Sequence, residues 1–175
     1  MVEAIRTERL LLREPRVSDA EAVTDLVGDP RIYEKVARIP AGQTLQQTET
    51  FLLKTQRGRV LDTDHIYIIE KDGALVGLVS AHRNGAGETF EIGYWLAPAH
   101  WGQGYVTEAA RALIGWLEEH GRGDELISGY FADNPASGRV LEKLGFTKTH
   151  QAPVYCLGRH AHIDHIFMVR RAKAQ

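Results

Sequence analysis

The spacing of apolar positions changes period several times along this 175-residue chain, and each change marks an element. "ERLLLREP" has a short apolar centre closed by Pro15 and predicts an opening strand. In "SDAEAVTDLVGDP", Ala22, Val23, Leu26 and Val27 recur at helical spacing, and Ser18 stands three residues before Glu21, the spacing of a capping box. "RIYEKVARIP" reads as a second short helical segment. "TLQQTETFLLKTQRGR" predicts a helix of about four turns, with Thr44 and Gln47 again at cap spacing. The period then shortens to two. "HIYIIE" and "ALVGLVSAHR" flank the turn "KDG" and predict a hairpin; "NGAGE" is a loop, and "TFEIGYWLAP" predicts a third strand ended by Pro98.

Helical spacing returns at Val106, Ala109, Ala110, Leu113, Ile114 and Leu117, which predicts an amphipathic helix from about Gln103 to His120, broken by "GRGD". "ELISGYFA" reads as a strand. "NPASGRVLEKLGF" reads as a short helix with Asn134 as N-cap, Pro135 in the first turn and Gly145 at the C-terminal end. "HIDHIFMVR" alternates as a last strand. The succession of strand, helices, meander, helix, strand, helix and strands, without repeat or linker, predicts one α/β or α+β domain over 1–175 with a mixed sheet.

Composition narrows the function classes. A formal net charge of −2, from 21 basic and 23 acidic residues, gives no electrostatic case for nucleic acid or an acidic membrane as partner. The single cysteine, Cys156, excludes an intrachain disulfide. "MVEAIRTERLLLREP" carries charges every few residues, unlike a signal peptide, and no apolar run approaches the ~18 residues of a membrane span. The expected location is the cytoplasm.

The candidate chemistry begins at "HWGQGYVTEA". Gly102 and Gly104 precede the predicted helix, where the first backbone N–H groups lack intrahelical partners. Glycines there accept unusual backbone angles and leave those donors open, the arrangement that binds phosphate or pyrophosphate. Between Ala97 and Leu117 the only cation is Arg111, so the backbone carries most of any such binding. Neither Gly-Lys-Ser/Thr nor G-x-G-x-x-G is present, which argues against a nucleotide loop. Taken alone, the turn is equally well a plain helix start.

Taken in order, "TERLLLREPRVSDAEAV", "EIGYWL", "HWGQGYVTEA" and "NPASGRVLEKLGF" resemble the GNAT superfamily of acetyl-CoA-dependent N-acetyltransferases, more narrowly its RimJ/RimL-like branch, over roughly Thr7 to Phe167. The family's glycine motif reads Arg/Gln-x-x-Gly-x-Gly/Ala. Aligned on Gly104, this chain has Trp101 first, as is familiar in that branch, and Val106 last, bulkier than usual. The resemblance implies a mixed sheet of six to seven strands flanked by about four helices, and acetyl-CoA as co-substrate without a metal.

It also implies roles. Backbone groups of Trp95 and Leu96 pair with the pantetheine arm, and the amides of Trp101, Gly102, Gln103, Gly104, Tyr105 and Val106 hold the pyrophosphate. Asn134 hydrogen-bonds the pantetheine amide region, a role compatible with its reading as an N-cap. Glu91 is the general base, through water; its other reading is an outward-facing strand residue. The Leu96 N–H faces the oxyanion. Ser137 protonates the leaving thiolate or only hydrogen-bonds the sulfur, and Tyr130 and Tyr155 are tyrosines to weigh in its place. The segment from about Tyr33 to Gln43 shapes the acceptor site, and dimers occur in similar proteins.

Some residues are distractors. His160, His162 and His165, with Asp164, read as a metal cluster or as a polar edge strand near the acceptor cleft, the second being favoured. His82 and His100 flank the cleft strands in sequence, and Tyr33 and Trp116 read as packing residues. The acceptor is a primary amine, either a protein N-terminal α-amino group or a small amine. The competing class is an acyl-CoA-binding sensor without catalysis.

Overall fold

The computed structural model describes residues 4–85 and 88–172; the loop "NGAGE" therefore lies partly outside the described residues, at Ala86 and Gly87. Among them are eight strands, β1 (Ile5–Arg6), β2 (Leu11–Arg13), β3 (Asp64–Lys71), β4 (Ala74–His82), β5 (Phe90–Leu96), β6 (Glu125–Phe131), β7 (Thr147–Cys156) and β8 (Ala161–Arg171). Five helices accompany them: α1 (Ala20–Val27), α2 (Pro30–Tyr33), α3 (Leu45–Val60), α4 (Tyr105–Glu119) and α5 (Pro135–Lys143). The strands form one sheet in the order β1-β2-β3-β4-β5-β6-β8-β7. Every neighbouring pair is antiparallel except β5 and β6. The mixed α/β sheet expected from the sequence is thus present, wider by the two-residue β1 and by β7.

Alternation along the strands sorts the side chains into two cores. Tyr67, Ile69, Val79, Ala81, Phe90, Ile92 and Leu96 meet the apolar face of α4 and Leu141 of α5. Ile66, Ile68, Leu78 and Trp95 face the other way, against Val23, Val27, Ile32 and Ile39. Helices therefore cover both faces, as a mixed sheet with buried strands requires. Trp116 packs against His65 and Tyr67 and Tyr33 lies in the second core, both in the packing roles the sequence suggested.

The caps show where local signals decide. Thr44 and Gln47 form the expected box: the Gln47 amide donates to Thr44 Oγ1 at 3.2 Å and the Thr44 amide to Gln47 Oε1 at 2.8 Å. Ser18 and Glu21 do not. A single 3₁₀ turn, Val17–Asp19, precedes α1, and Asp19 accepts from the Arg16 amide at 2.7 Å and from two guanidinium nitrogens of Arg13 at 2.8 Å. Arg13 also donates to Glu70 of β3 at 2.5 Å, so a nearly buried charge network took the position that spacing alone gave to Ser18. Removing one partner of such a pair costs roughly 3–5 kcal/mol, because the other charge stays buried.

A fork in the sheet positions the site. β5 and β6 pair only at Phe90–Leu126 and Glu91–Ile127. Beyond Glu91 they part, bridged once where Ser128 Oγ donates to Ile92 O at 2.8 Å. The fork opens a cleft of about 640 Å³.

Candidate active site

Glu91 sits at the vertex of the fork, in register with His82 at the end of β4. Its carboxylate lies 3.1 Å from Arg38 Nη2 and 3.2 Å from His82 Nε2, while Arg38 Nη1 contacts the same His82 nitrogen. The hydrogen bond from His82 outweighs the opposing effect of burial and, with Arg38 nearby, holds Glu91 below the usual carboxylate range. Glu91 is thus an ionised acceptor throughout the neutral range. Of the two flanking histidines, His82 lines the cleft; His100 lies in the 3₁₀ turn Pro98–His100 beside the Tyr105 ring.

Backbone direction along β5 follows from one bond. The Ala97 amide donates to Val76 O at 2.8 Å, toward β4. By alternation the backbone groups of Trp95 also face β4, and those of Tyr94 and Leu96 face the open side of the fork. The Leu96 carbonyl there accepts Trp101 Nε1 at 2.7 Å, which leaves the Leu96 N–H directed at the fork. Of the two residues expected to pair with an incoming arm, Leu96 has the geometry and Trp95 instead contributes a buried indole to the cleft wall.

On the opposite face of β5, Tyr94 and Ser137 meet. Tyr94 Oη lies 2.9 Å from Ser137 Oγ and donates to Ser137 O at 3.3 Å. Burial, opposed by the Ser137 hydrogen bond, pushes the Tyr94 phenol up to about 12, so it stays protonated. Sequence reasoning weighed Tyr130 and Tyr155 at this place and missed Tyr94, which lies within the predicted strand "TFEIGYWLAP" beside Trp95. Tyr130 is buried against Gly138, and Tyr155 is exposed on β7, with its ring edge toward His162. Asn134 precedes α5 with no side-chain bond to the helix backbone, so its position is an N-cap while its side chain does not serve as one.

The glycine turn holds its expected conformation, with φ of +74° at Gly102 and +80° at Gly104. α4 begins at Tyr105, two residues later than the spacing suggested, and its first bond runs from the Glu108 amide to Gly104 O at 3.0 Å. Among the described residues, the amides from Gly102 to Thr107 have no hydrogen-bond acceptor, whereas the Trp101 amide is used within its own turn, donating to Pro98 O at 3.2 Å. The open series is therefore one residue shorter at its start than expected.

A distant segment supplies what the local sequence lacked. Arg9 donates to Gln103 O at 2.9 Å and to Glu108 Oε2 at 2.7 Å, and its guanidinium stacks over the Tyr105 ring. Thr7 Oγ1 donates to Glu108 Oε1 at 2.6 Å. Glu108 is the one carboxylate in the first turn of α4, and this clasp offsets the charge that would otherwise repel an anion from the open amides. No local signal in the sequence links Arg9 to a turn nearly a hundred residues away.

Residues 9–147 match the acetyltransferase (GNAT) domain family. The chain belongs to the GNAT acetyltransferases. It is 30% identical over 157 residues to a probable N-acetyltransferase of Bacillus subtilis, YjcK, with 82% of this chain and 83% of that one covered. A ribosomal-protein-serine acetyltransferase of Escherichia coli is 33% identical over 105 residues, 57% of this chain and 59% of that protein's length. Among solved structures, RimL, a ribosomal L7/L12 alpha-N-protein acetyltransferase in complex with coenzyme A, superposes with a TM-score of 0.87 at 21% identity, covering 99% of this chain and 100% of that one. The microcin C7 self-immunity acetyltransferase MccE, in complex with acetyl-CoA and AMP, gives 0.82 at 21% identity over 95% and 94%. At that identity the likeness carries the GNAT fold.

The GNAT donor is acetyl-CoA, and the open amides, the positive-φ glycines and the Arg9–Glu108 clasp fit a pyrophosphate. The histidines fit no metal: among the described residues no group of three or more His, Cys, Asp or Glu gathers as ligands. His160 lies in a turn at φ +50°, His162 packs on Tyr155, and His165 alone lines the cleft. No helix among the described residues is long and apolar enough to cross a membrane.

Proposed function

We propose that this GNAT enzyme acetylates a primary amine that enters the cleft from the α1–α3 face, while acetyl-CoA lies on the α4–α5 face. The supporting observation is the fork: Glu91 stands at its vertex on one face of β5, and the Tyr94–Ser137 pair and the Leu96 N–H stand beyond it toward the other. When bound, acetyl-CoA supplies an activated thioester. The amides of Gly102 to Val106 hold its pyrophosphate, Leu96 and Asn134 orient the pantetheine arm, and the Leu96 N–H stabilises the carbonyl oxygen as it gains negative charge.

Glu91, kept ionised by His82 and Arg38, is too weak a base to take an ammonium proton outright. It acts through water, accepting the proton as the amine attacks. Ser137 Oγ–H donates toward the sulfur. Tyr94 Oη, 2.9 Å from Ser137 Oγ, holds the serine hydroxyl in place. Because Glu91 is ionised well below neutrality, the rise of kcat/KM with pH follows the acceptor's own amine, about 8 for an α-amino group. Two acceptors with different amine pKa values, compared from pH 6 to 9, check this; a limb that does not move between them refutes it.

The acceptor is a protein N-terminal α-amino group, as the names of the ribosomal-protein relatives suggest, or a small amine. A cytoplasmic location belongs to the same reading. Release of free thiol from acetyl-CoA, measured across a panel of peptides and small amines, is expected for at least one acceptor. Tight acetyl-CoA binding with no thiol released by any amine would instead make the protein a sensor.

A further inference from the structure

The walls of the acceptor cleft carry an imbalance of charge that the chain as a whole does not. The chain is net negative, at −2. Yet Lys35, Arg38 and Lys54 line the cleft against the carboxylates Glu91 and Asp64, with His82 and His165 beside them. Arg38 is committed to Glu91 at 3.1 Å. Lys35 reaches Asp133 at 3.3 Å, but both oxygens of that carboxylate already accept from Arg159, at 2.6 and 3.1 Å, so two cations share one anion. Lys54 is exposed on α3 and has no ion-pair partner among the described residues. Asp64 accepts from Thr63 Oγ1 at 2.9 Å and is the one lining carboxylate without a cationic partner. The remainder is positive, around an apolar floor that includes Val23, Ile39 and Leu78.

Lys54 stands one helical turn from Phe51, which is 37% exposed and also lines the cleft. Residues three apart share a helix face, so cation and ring address the same occupant. Lys35 and Arg38 belong to the segment after α2, which is tied down from the β7–β8 turn: the Leu157 amide donates to Ala37 O at 3.0 Å and Arg159 Nε to Glu34 O at 2.6 Å. The cations are thus held at the mouth by a fixed frame. A plain ammonium, still protonated as it arrives, meets this surplus unfavourably.

We propose that the acceptor amine carries a carboxylate or phosphate beside an apolar portion, and that Lys35 and Lys54 recognise this anionic group. This deepens the acetyltransferase reading and rests on it. The anion draws the acceptor in and offsets the cationic walls; it then leaves the amine near Glu91, which Arg38 and His82 already satisfy.

The experiment compares matched acceptors by thiol release from acetyl-CoA. One arm uses peptides with a free N-terminus followed by two Asp, two Asn or two Lys residues. The other uses free amino acids against their amides, which separates a small acid from a peptide source. The acidic member of at least one arm is expected to have a kcat/KM about tenfold or more above its uncharged counterpart, mainly through KM. Raising salt from 50 to 500 mM should shrink the preference. Lys54→Glu and Lys35→Glu should each reduce it several-fold, while leaving acetyl-CoA binding unchanged. Equal or better turnover of the uncharged and basic members overturns the proposal and leaves the acetyltransferase reading standing. A preference insensitive to salt and to both substitutions also overturns it. Absence of turnover with every amine overturns both.

Discussion

On the α4–α5 face of β5, the groups assigned to the donor come from two short stretches, 94–107 and 134–137, joined by one clasp from Arg9 and Thr7. On the α1–α3 face, the cleft is assembled from α1, the segment after α2, α3, four strands and one histidine of β8. The first face works chiefly through backbone amides, whose positions follow from strand alternation and a glycine turn. The second works through side chains that only the finished fold brings together. Donor recognition is therefore local and uniform, whereas acceptor recognition is dispersed and free to vary by substitution along any of those elements.

Glu91→Gln makes the deepest cut into the acceptor side. It keeps the shape but removes the charge that His82 and Arg38 surround, and kcat should fall about a hundredfold, within the range for lost acid–base assistance. Acetyl-CoA affinity, measured by calorimetry, should stay within about twofold. A parental rate and pH profile would remove Glu91 from the mechanism. Gly104→Val makes the corresponding cut on the donor side. Gly104 has φ of +80°, and a Cβ there would meet only Arg9 Nη2, at an ordinary 3.5 Å, so the obstacle is backbone strain rather than space. An ordinary L-residue in that region costs roughly 1–2 kcal/mol, more when β-branched. Coenzyme A affinity should drop about tenfold or more, with Tm lowered by several degrees; unchanged affinity would mean that the open amides hold nothing.

The sequence made the same two faces unequally readable. Gly102, Gly104, Leu96 and Ser137 lie in short motifs, so their neighbourhoods were legible; apolar patterning located α4 and the strands β2 to β6 and β8, and cap spacing located α3. β7 was not legible. "TKTHQAPVYC" is exposed along most of its length, carries Pro153 and lies at the sheet edge, where a strand need not bury an alternating face. That missed strand leads into the Leu157 and Arg159 contacts that fix the acceptor segment, so the gap in the fold reading and the gap in the acceptor reading have one cause. Arg38 and Lys35 did not stand out in the sequence, because their partners Glu91 and Asp133 lie 53 and 98 residues away in the chain.

Tyr94→Phe tests the joint between the faces. The ring remains packed, and only the hydroxyl that meets Ser137 is lost. A fall in kcat of about five- to tenfold is expected, with acetyl-CoA affinity unchanged. If the two hydroxyls act as one unit, Tyr94→Phe combined with Ser137→Ala should be little worse than Ser137→Ala alone, since effects within one hydrogen-bonded pair do not add. Full additivity would separate Tyr94 from the leaving-group side.

The smallest effect concerns Val106, where the family favours Gly or Ala. Its side chain is half-buried and packs against the core beneath α4, while its amide belongs to the open series. Those two facts pull a substitution in opposite directions. Val106→Ala removes two methyl groups from a partly covered site, at a cost of roughly 1 kcal/mol or less, and gains helix propensity in the first turn. If the bulk of valine holds the helix end away from the pyrophosphate, the variant should bind coenzyme A up to threefold more tightly with Tm nearly unchanged. Weaker binding together with a lower Tm would show that side-chain packing sets the amide positions. Donor recognition would then depend on the core as the acceptor side does, and the contrast between the two faces would be one of degree.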